Sequence, residues 1–185
     1  MIKLLGISGS LRRASFNTAL LRAAAALLPD DATLDLRTLH GIPLYDADLE
    51  ASEGIPAAVT ALKDAIAAAD GVLLATPEYN NGIPGVFKNG IDWLSRPPAD
   101  VKRVFAGRRI AVIGASPGGF GTILSQNAWL PVLRTLGTHP WFGARLMVSR
   151  AGSVFDDGGA IKDAAVQEQL RQFLQGFVDF VRQRK

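Results

Sequence analysis

The chain has 185 residues, of which 48% are hydrophobic, and its formal net charge is +3. This length predicts one domain, residues 1–185, with a single core. The absence of cysteine excludes disulfides, thiolate metal ligands, a cysteine nucleophile and a redox-active cysteine pair. The basic residues are scattered and no apolar run is long enough for a membrane span or a signal segment, so we expect a cytoplasmic protein without a nucleic-acid or membrane partner. Two-electron chemistry in such a chain needs a bound cofactor.

Apolar runs of strand length alternate along the chain with helical patterns. Strands are predicted at residues 3–7, 33–36, 71–76, 109–115 and 146–149. Helices are predicted at residues 16–28, 56–69, from residue 84 onward, around 129–136 and at 166–181, and Pro131 is expected to start or kink the fourth. This alternation predicts a parallel sheet covered by helices on both faces. Ligands of such sheets bind beyond the carboxyl ends of the strands, so the loops after strands one, three and four are the candidate site.

The loop after strand one, residues 9–18, has the composition of an anion site. Backbone N–H groups and the helix dipole place partial positive charge at the start of the following helix, and Arg12 and Arg13 add full charges. The spacing of its glycines matches neither a dinucleotide fingerprint nor a P-loop. The alternative is that its polar residues only cap the helix, but one cap needs only one such residue. We therefore predict that a phosphate binds here.

The loops after strands three and four have compositions that suit a planar ligand. The third-strand loop, residues 76–85, contains two prolines, two asparagines and two glycines, so Asn80 and nearby amides could read the edge of a heterocycle beside Tyr79. The fourth-strand loop has three glycines in four positions, at Gly118, Gly119 and Gly121, which favours close approach by a flat group. The alternatives are an ordinary turn and a flexible connection. Flavin mononucleotide (FMN), with a phosphate at one end and a flat ring at the other, would fit all three loops.

Several segments, in the same order along essentially the whole chain, resemble the NAD(P)H-dependent FMN reductases. The likeness is greatest to bacterial soluble quinone reductases that also reduce chromate and azo dyes. The segments that carry it are residues 9–12 with 15–17, 43–48, and 77–80 running into 88–96. The resemblance implies a flavodoxin-like three-layer α/β sandwich with a five-stranded parallel sheet of order 2-1-3-4-5. It also implies bound FMN, NADPH or NADH as the electron donor, and a homodimer or homotetramer.

Carried over residue by residue, the resemblance implies a set of FMN-binding positions. The phosphate and ribityl end would be held by Ser10, Arg12, Ser15, Phe16 and Asn17. The flavin ring would be lined by Pro77, Glu78, Tyr79, Asn80, Asn81 and Gly82, and flanked by Ser116 and the glycines from Gly118 onward. In the family, the helix beginning near Pro84 packs against a second subunit. Phe87, Ile91 and Trp93 could serve that contact or the core of their own chain.

The chain departs from the chromate-reducing relatives at two places. Those relatives carry a tyrosine where this chain has Asn81, and an arginine and a tyrosine in the helix after strand four. Residues 122–127 offer neither. The departure puts efficient chromate reduction and the same tetramer contact in doubt, and it leaves FMN binding untouched.

Three functions are compatible with a sheet of this kind. The first is a reductase that passes electrons from NADPH or NADH through FMN to quinones, chromate, azo compounds or free flavin, with no catalytic acid or base required. The second is a flavodoxin-like electron carrier, which a mildly basic chain with Arg12 suits less well. The third, a phosphate-receiver domain, lacks its carboxylates. No metal site is expected, because His40 and His139 lie in different connections without a carboxylate cluster. The acidic segment 46–50 is expected to be a solvated loop.

Overall fold

Six parallel strands form one sheet at the centre of the computed structural model, in which residues 1–183 are described. The strands are β1 (Ile2–Ser8), β2 (Ala32–Arg37), β3 (Gly71–Ala75), β4 (Arg109–Ala115), β5 (His139–Pro140) and β6 (Leu146–Val148). They run in the order β2-β1-β3-β4-β5, and β6 pairs with β4 beyond β5. The predicted flavodoxin-like order is confirmed. Its last position is shared by two short strands, of which β6 corresponds to the predicted fifth strand.

Helices connect the strands and cover both faces of the sheet. They are α1 (Phe16–Leu27), α2 (Ala47–Glu53), α3 (Ala57–Ala68), α4 (Gly85–Leu94), α5 (Val101–Val104), α6 (Ile123–Thr135), α7 (Ala151–Val154) and α8 (Ala164–Arg182). The expected acidic loop is wrong in part, because Asp46 caps the short helix α2 by accepting a hydrogen bond from the amide of Asp48. Pro131 lies inside α6 and does not start it.

Two hydrophobic cores lie on opposite faces of the sheet. Alternate residues of the fully buried strand β3 point to opposite sides, so Leu73 packs with α1 and α8 while Val72 and Leu74 pack with α3, α4 and α6. The second core contains Phe87, Ile91 and Trp93, which are the three side chains of α4 whose role the sequence leaves open. All three are buried within their own chain, so they are not available to a second subunit.

One close contact in the second core brings α4 against the end of β1. A Cβ atom added at Gly9 would lie 2.1 Å from Cδ1 of Phe87, so only a residue without a side chain fits at this position. The first residue of the loop after β1 is thereby packed directly on the core.

Candidate functional site

The loops that follow β1, β3 and β4 meet at one edge of the sheet. We refer to residues 9–15 as loop one, 38–46 as loop two, 76–84 as loop three and 116–122 as loop four. Three backbone hydrogen bonds extend the strand pairing beyond the strand ends: from Gly9 N to Ala75 O at 2.9 Å, from Thr76 N to Ile113 O at 2.8 Å, and from Ser116 N to Val148 O at 2.9 Å. Loops one, three and four therefore start side by side.

Loop one leaves hydrogen-bond donors and positive charge free at the start of α1. Ser15 caps the helix through its side chain, which accepts a hydrogen bond from the third amide of the helix at 3.3 Å. The amides of Phe16 and Asn17 have no acceptor among residues 1–183. Arg12 and Arg13 are exposed, and neither forms an ion pair with a carboxylate in the described part of the chain. Two amides, two guanidinium groups and the helix dipole thus remain for an anion.

The other polar side chains predicted in this loop are engaged within the protein. The buried Asn17 amide forms two hydrogen bonds of 2.9 Å with Ala115, donating from Nδ2 to its carbonyl and accepting at Oδ1 from its amide. The Ser10 hydroxyl accepts a hydrogen bond from the Arg12 amide at 3.3 Å. The Arg12 guanidinium carbon lies 5.9 Å from the centre of the Phe16 ring. Among the five residues predicted to hold the phosphate end, Arg12 thus offers an uncommitted charge.

Loop three contains a tight two-residue turn whose two central side chains are free of hydrogen bonds in the described part of the chain. Asn80 and Asn81 have φ angles of 49° and 63°, the left-handed conformation that a type I′ turn requires at both central positions. Two hydrogen bonds close the turn, from Tyr79 N to Gly82 O at 3.3 Å and from Gly82 N to Tyr79 O at 3.1 Å. The side chains of both asparagines form no hydrogen bond with any other described residue. They can therefore present donors and acceptors to a heterocycle.

The first two predicted ring-lining residues differ from the rest of loop three. Pro77 is buried, and the side chain of Glu78 points to the start of α6. One carboxylate oxygen, Oε2, accepts hydrogen bonds from the amides of Leu124 at 2.8 Å and Ser125 at 2.9 Å. The Glu78 carboxylate is therefore engaged with α6.

Loop four has glycines that the packing of the protein does not require. A Cβ atom added at Gly119 would have no neighbour within 4 Å, and one added at Gly118 would meet only the Ser116 hydroxyl at 3.5 Å. Gly121 differs, because its φ of +64° and the backbone of Met147 at 3.0 Å both exclude a side chain. The Ser116 hydroxyl accepts from the Gly118 amide at 3.1 Å and keeps its own proton to donate. The backbone at 118–119 is thus open to close approach by a flat ligand.

Loop two is held against α4 and α2. Asn89 donates to the carbonyl of Pro43 at 2.8 Å and accepts from the amide of Tyr45 at 2.8 Å. The Tyr45 hydroxyl and Nε of Arg96 both donate to Oε2 of Glu50 at 3.0 Å. The hydrogen bond from Arg96 is the largest cause of a Glu50 pKa below its ordinary value, and burial, followed by the bond to Glu50, raises the pKa of Tyr45.

His40 connects loop two to loop one. Its Nε2 lies 3.2 Å from the Leu11 carbonyl, and its Nδ1 lies 2.9 Å from the Thr38 hydroxyl. Because a carbonyl only accepts, Nε2 of His40 donates the hydrogen bond to Leu11. His40 therefore has a structural contact between the two loops.

Each of the four loops exposes one large apolar side chain. The exposed fractions are 39% for Leu11, 80% for Leu44, 51% for Tyr79 and 85% for Phe120. We call these four residues the apolar rim. Leu11, Leu44 and Phe120 are not among the predicted site residues, although a lone aromatic residue in a glycine-rich loop was a usable signal for Phe120. Exposed apolar residues gathered at one edge indicate a binding surface.

This fold and site define a class of protein: a flavodoxin-like α/β domain with free hydrogen-bond donors and two exposed arginines after β1 and an open glycine backbone after β4. The chain belongs to the NADPH-dependent FMN reductase family, whose model matches residues 2–153. It is 44% identical over 181 residues to an NAD(P)H-dependent FMN reductase of Pseudomonas aeruginosa, with 98% of this chain and 96% of that protein covered. It is 38% identical over 178 residues to a 2-hydroxy-1,4-benzoquinone reductase of a Burkholderia species, covering 96% and 93%.

A solved structure supports the same family. The flavoenzyme FerB of Paracoccus denitrificans, an NAD(P)H:(acceptor) oxidoreductase, superposes with a TM-score of 0.85 at 33% identity, covering 98% of each chain. The expected family, cofactor and electron donor are confirmed: the chain is an enzyme of the FMN reductase type that uses FMN and NAD(P)H. The free donors of loops one and three and the open backbone of loop four fit FMN. Within residues 1–183, no helix has the length and apolarity needed to cross a membrane.

Proposed function

We propose that this chain is a quinone reductase built as one FMN-binding domain over residues 1–185, with NADPH or NADH as the electron donor. FMN, when bound, supplies the two-electron chemistry that a chain without cysteine lacks. The observation that carries the proposal is the pair of unpaired arginines beside two free amides at the start of α1. Arg12 and these amides would hold the phosphate, together with the rest of loop one.

The ring end of the proposed site is formed by loops three and four. Asn80, Asn81 and the backbone of the turn would bind the polar edge of the ring, and Gly118 with Ser116 would lie along its face. The amides of Asn80 and Asn81, which have no acceptor among the described residues, would stabilise negative charge that develops on the ring, so no side chain needs to act as an acid or base. The complete proposed set is Ser10, Arg12, Ser15, Phe16, Asn17, Pro77, Glu78, Tyr79, Asn80, Asn81, Gly82, Ser116 and Gly118, in which Glu78 would contribute its backbone because its carboxylate is bonded to α6.

The apolar rim supports a flat, apolar acceptor. Leu44, Tyr79 and Phe120 surround the open edge with hydrophobic surface, which favours a quinone or an aromatic azo compound over the chromate dianion. Free flavin, which is also flat, is a further proposed acceptor. The relative that reduces 2-hydroxy-1,4-benzoquinone supports the choice of a quinone.

A binding experiment tests the phosphate assignment. Loss of a charge-assisted contact, about 1.5–3 kcal/mol, predicts that Arg12→Ala raises the Kd for FMN roughly 10- to 150-fold. Arg22→Ala is the matched control, because Arg22 is exposed on the same helix and forms no ion pair with a described residue. Fluorescence titration of each apoprotein with FMN measures the Kd of both variants. Equal affinity for Arg12→Ala, Arg22→Ala and the wild type would exclude Arg12 from the phosphate site.

An anaerobic titration tests the activity itself. Addition of NADPH or NADH to the FMN-loaded protein should bleach the visible flavin absorbance at one donor molecule per flavin. Subsequent addition of 1,4-benzoquinone, with no partner protein, should restore the absorbance repeatedly while donor remains. A flavin that stays oxidised with both donors would contradict the reductase proposal and favour an electron carrier.

We also propose that the chain forms a homodimer or homotetramer through the outer face of α6. Ile123, Leu124 and Leu130 are exposed there, beside a cleft of about 490 Å³ that Trp141 and Phe142 help to line. Identical apolar helix faces can pack on each other about a twofold axis. Leu130→Glu should lower the mass measured by sedimentation, whereas the same charge introduced by Ala25→Glu on exposed α1 should not. An unchanged mass for Leu130→Glu would exclude this face.

A further inference from the structure

The helix α6 takes its N-terminal cap from a distant part of the chain. Its own N-cap residue, Thr122, makes no side-chain capping bond, and its hydroxyl instead accepts from Gln126 at 3.1 Å. The cap is provided by Glu78, whose Oε2 accepts from the amides of Leu124 and Ser125. A carboxylate at this position satisfies two orphan donors and complements the positive end of the helix dipole.

A second contact fastens the base of loop three to the same helix. The Thr76 hydroxyl lies 2.8 Å from the Ser125 hydroxyl and accepts a hydrogen bond from Nε1 of Trp129 at 3.1 Å, all of them buried. Gly114 makes room for this arrangement, because a Cβ atom there would lie 2.3 Å from the Thr76 carbonyl oxygen. Residues 76–78 and the first turns of α6 therefore pack as one unit.

Between Glu78 and Ile83, which packs against the second core, no residue forms a hydrogen bond with another segment of the described chain. The hydrogen bonds of the turn run between Tyr79 and Gly82, so they fix its internal shape and not its position on the sheet edge. Tyr79, Asn80 and Asn81 are exposed, and the two asparagine side chains bond to nothing else in the described chain. The bonds of Glu78 to α6 are thus the last fixed point before the groups proposed to contact the ring.

We propose that Glu78 is a positioning residue, whose carboxylate holds the Tyr79–Gly82 turn in place by bonding to α6 and does not itself contact the flavin. This inference rests on the proposed function and concerns the same site. It gives the side chain of Glu78 a different role from lining the ring. It also predicts that the acceptor oxygen, and not the negative charge, is the essential feature.

Two substitutions separate the acceptor from the charge. Glu78→Gln keeps a carbonyl oxygen that can accept from both amides, whereas Glu78→Ala removes every acceptor. Glu53→Ala is the control for loss of an acidic side chain, because Glu53 is exposed on α2 and its side chain has no hydrogen bond in the described chain. Three measurements apply to each variant: amide hydrogen exchange of the apoprotein, the Kd for FMN, and the midpoint potential of the FMN-loaded protein.

The expected results differ between the variants. In Glu78→Ala, the amides of Leu124 and Ser125 should exchange at least tenfold faster and the Kd for FMN should rise about tenfold. The free amides of the turn favour the reduced ring, so the affinity for reduced FMN should fall tenfold more than the affinity for oxidised FMN. This difference makes the midpoint potential about 30 mV more negative. Glu78→Gln and Glu53→Ala should stay within threefold of the wild type in exchange and Kd.

Two outcomes would overturn the inference. A merely structural cap would show faster exchange in Glu78→Ala with unchanged Kd and potential. A charge effect would make Glu78→Gln behave like Glu78→Ala. Both outcomes leave the proposed function standing, because the wild type binds FMN in each case. A wild type that fails to bind FMN would refute the proposed function and this inference with it.

Discussion

Replacement of Asn17 should destabilise the protein even before FMN is considered. Its amide joins the start of α1 to the end of β4 through two buried hydrogen bonds of 2.9 Å with Ala115. Asn17→Ala removes the hydrogen-bond partner of both the N–H and the C=O group of Ala115. Each buried group left unpaired costs about 1–3 kcal/mol, so the free energy of unfolding should fall by roughly 2–6 kcal/mol. That is a large part of the usual 5–15 kcal/mol or so of a domain.

Asn17→Asp adds a pH dependence that the alanine variant lacks. An ionised carboxylate cannot donate to the Ala115 carbonyl, so the folded state favours the protonated form and the pKa of the introduced carboxyl rises above its unfolded value of about 3.9. The folded state then binds more protons than the unfolded state. Stability is therefore highest below the unfolded pKa and falls, by up to about 1.4 kcal/mol per pH unit, as the pH rises through the folded pKa.

Urea unfolding of the FMN-free protein, followed by circular dichroism between pH 5 and 8, measures both effects. Gln169→Ala is the control, because Gln169 is exposed on α8 and should change stability by no more than about 0.5 kcal/mol. A loss below about 1 kcal/mol for Asn17→Ala would refute the reasoning. So would a pH profile of Asn17→Asp parallel to that of the wild type.

Two further substitutions test contacts around the site. Gly9→Ala places a methyl group 2.1 Å from Phe87 Cδ1 and should lower the free energy of unfolding by about 1–3 kcal/mol. In the control Gly85→Ala, the methyl group meets no atom within 4 Å, so the free energy of unfolding should not change. Equal thermal midpoints for the two variants would contradict the steric argument. The hydrogen bond from Arg96 lowers the pKa of Glu50 in the folded protein. The ionised Glu50 carboxylate therefore stabilises the fold above its ordinary pKa of 4.5, and this stabilisation is lost as the pH falls through the folded pKa. Glu50→Gln should therefore lose stability less steeply on acidification than the wild type or Glu53→Gln, and parallel acid-unfolding curves would argue against this.

The sheet and the longer helices were predictable because their patterns are local. The buried run of β3 and the apolar stripe of α8 are visible in the sequence without knowledge of any partner. The short helix α2 was missed because it has no buried residue and so no apolar stripe. The cap at Asp46 and the acidic residues in its first turn were the signals that could have identified it.

The rest depended on contacts between distant segments. The start of α6 was not predictable from its own residues, because its cap, Glu78, lies 46 positions away in the sequence. The sequence placed the three loops at one edge, since the carboxyl ends of parallel strands meet there. It could not show which polar groups stay free: the Asn17 amide bonds to Ala115, 98 positions away, whereas the side chains of Asn80 and Arg12 form no hydrogen bond or ion pair within residues 1–183.

The apolar rim also bears on how this enzyme can change over evolution. Leu44, Tyr79 and Phe120 project outward from separate loops, whereas the anchors beneath them, such as Asn17 and Gly9, are buried. Surface substitutions of this kind are close to neutral for folding, so each rim position can vary without endangering the scaffold. Under the proposed function, the acceptor range of the enzyme would therefore diverge one mutation at a time, and a small library confined to the rim is the natural starting point for redirecting it to new acceptors.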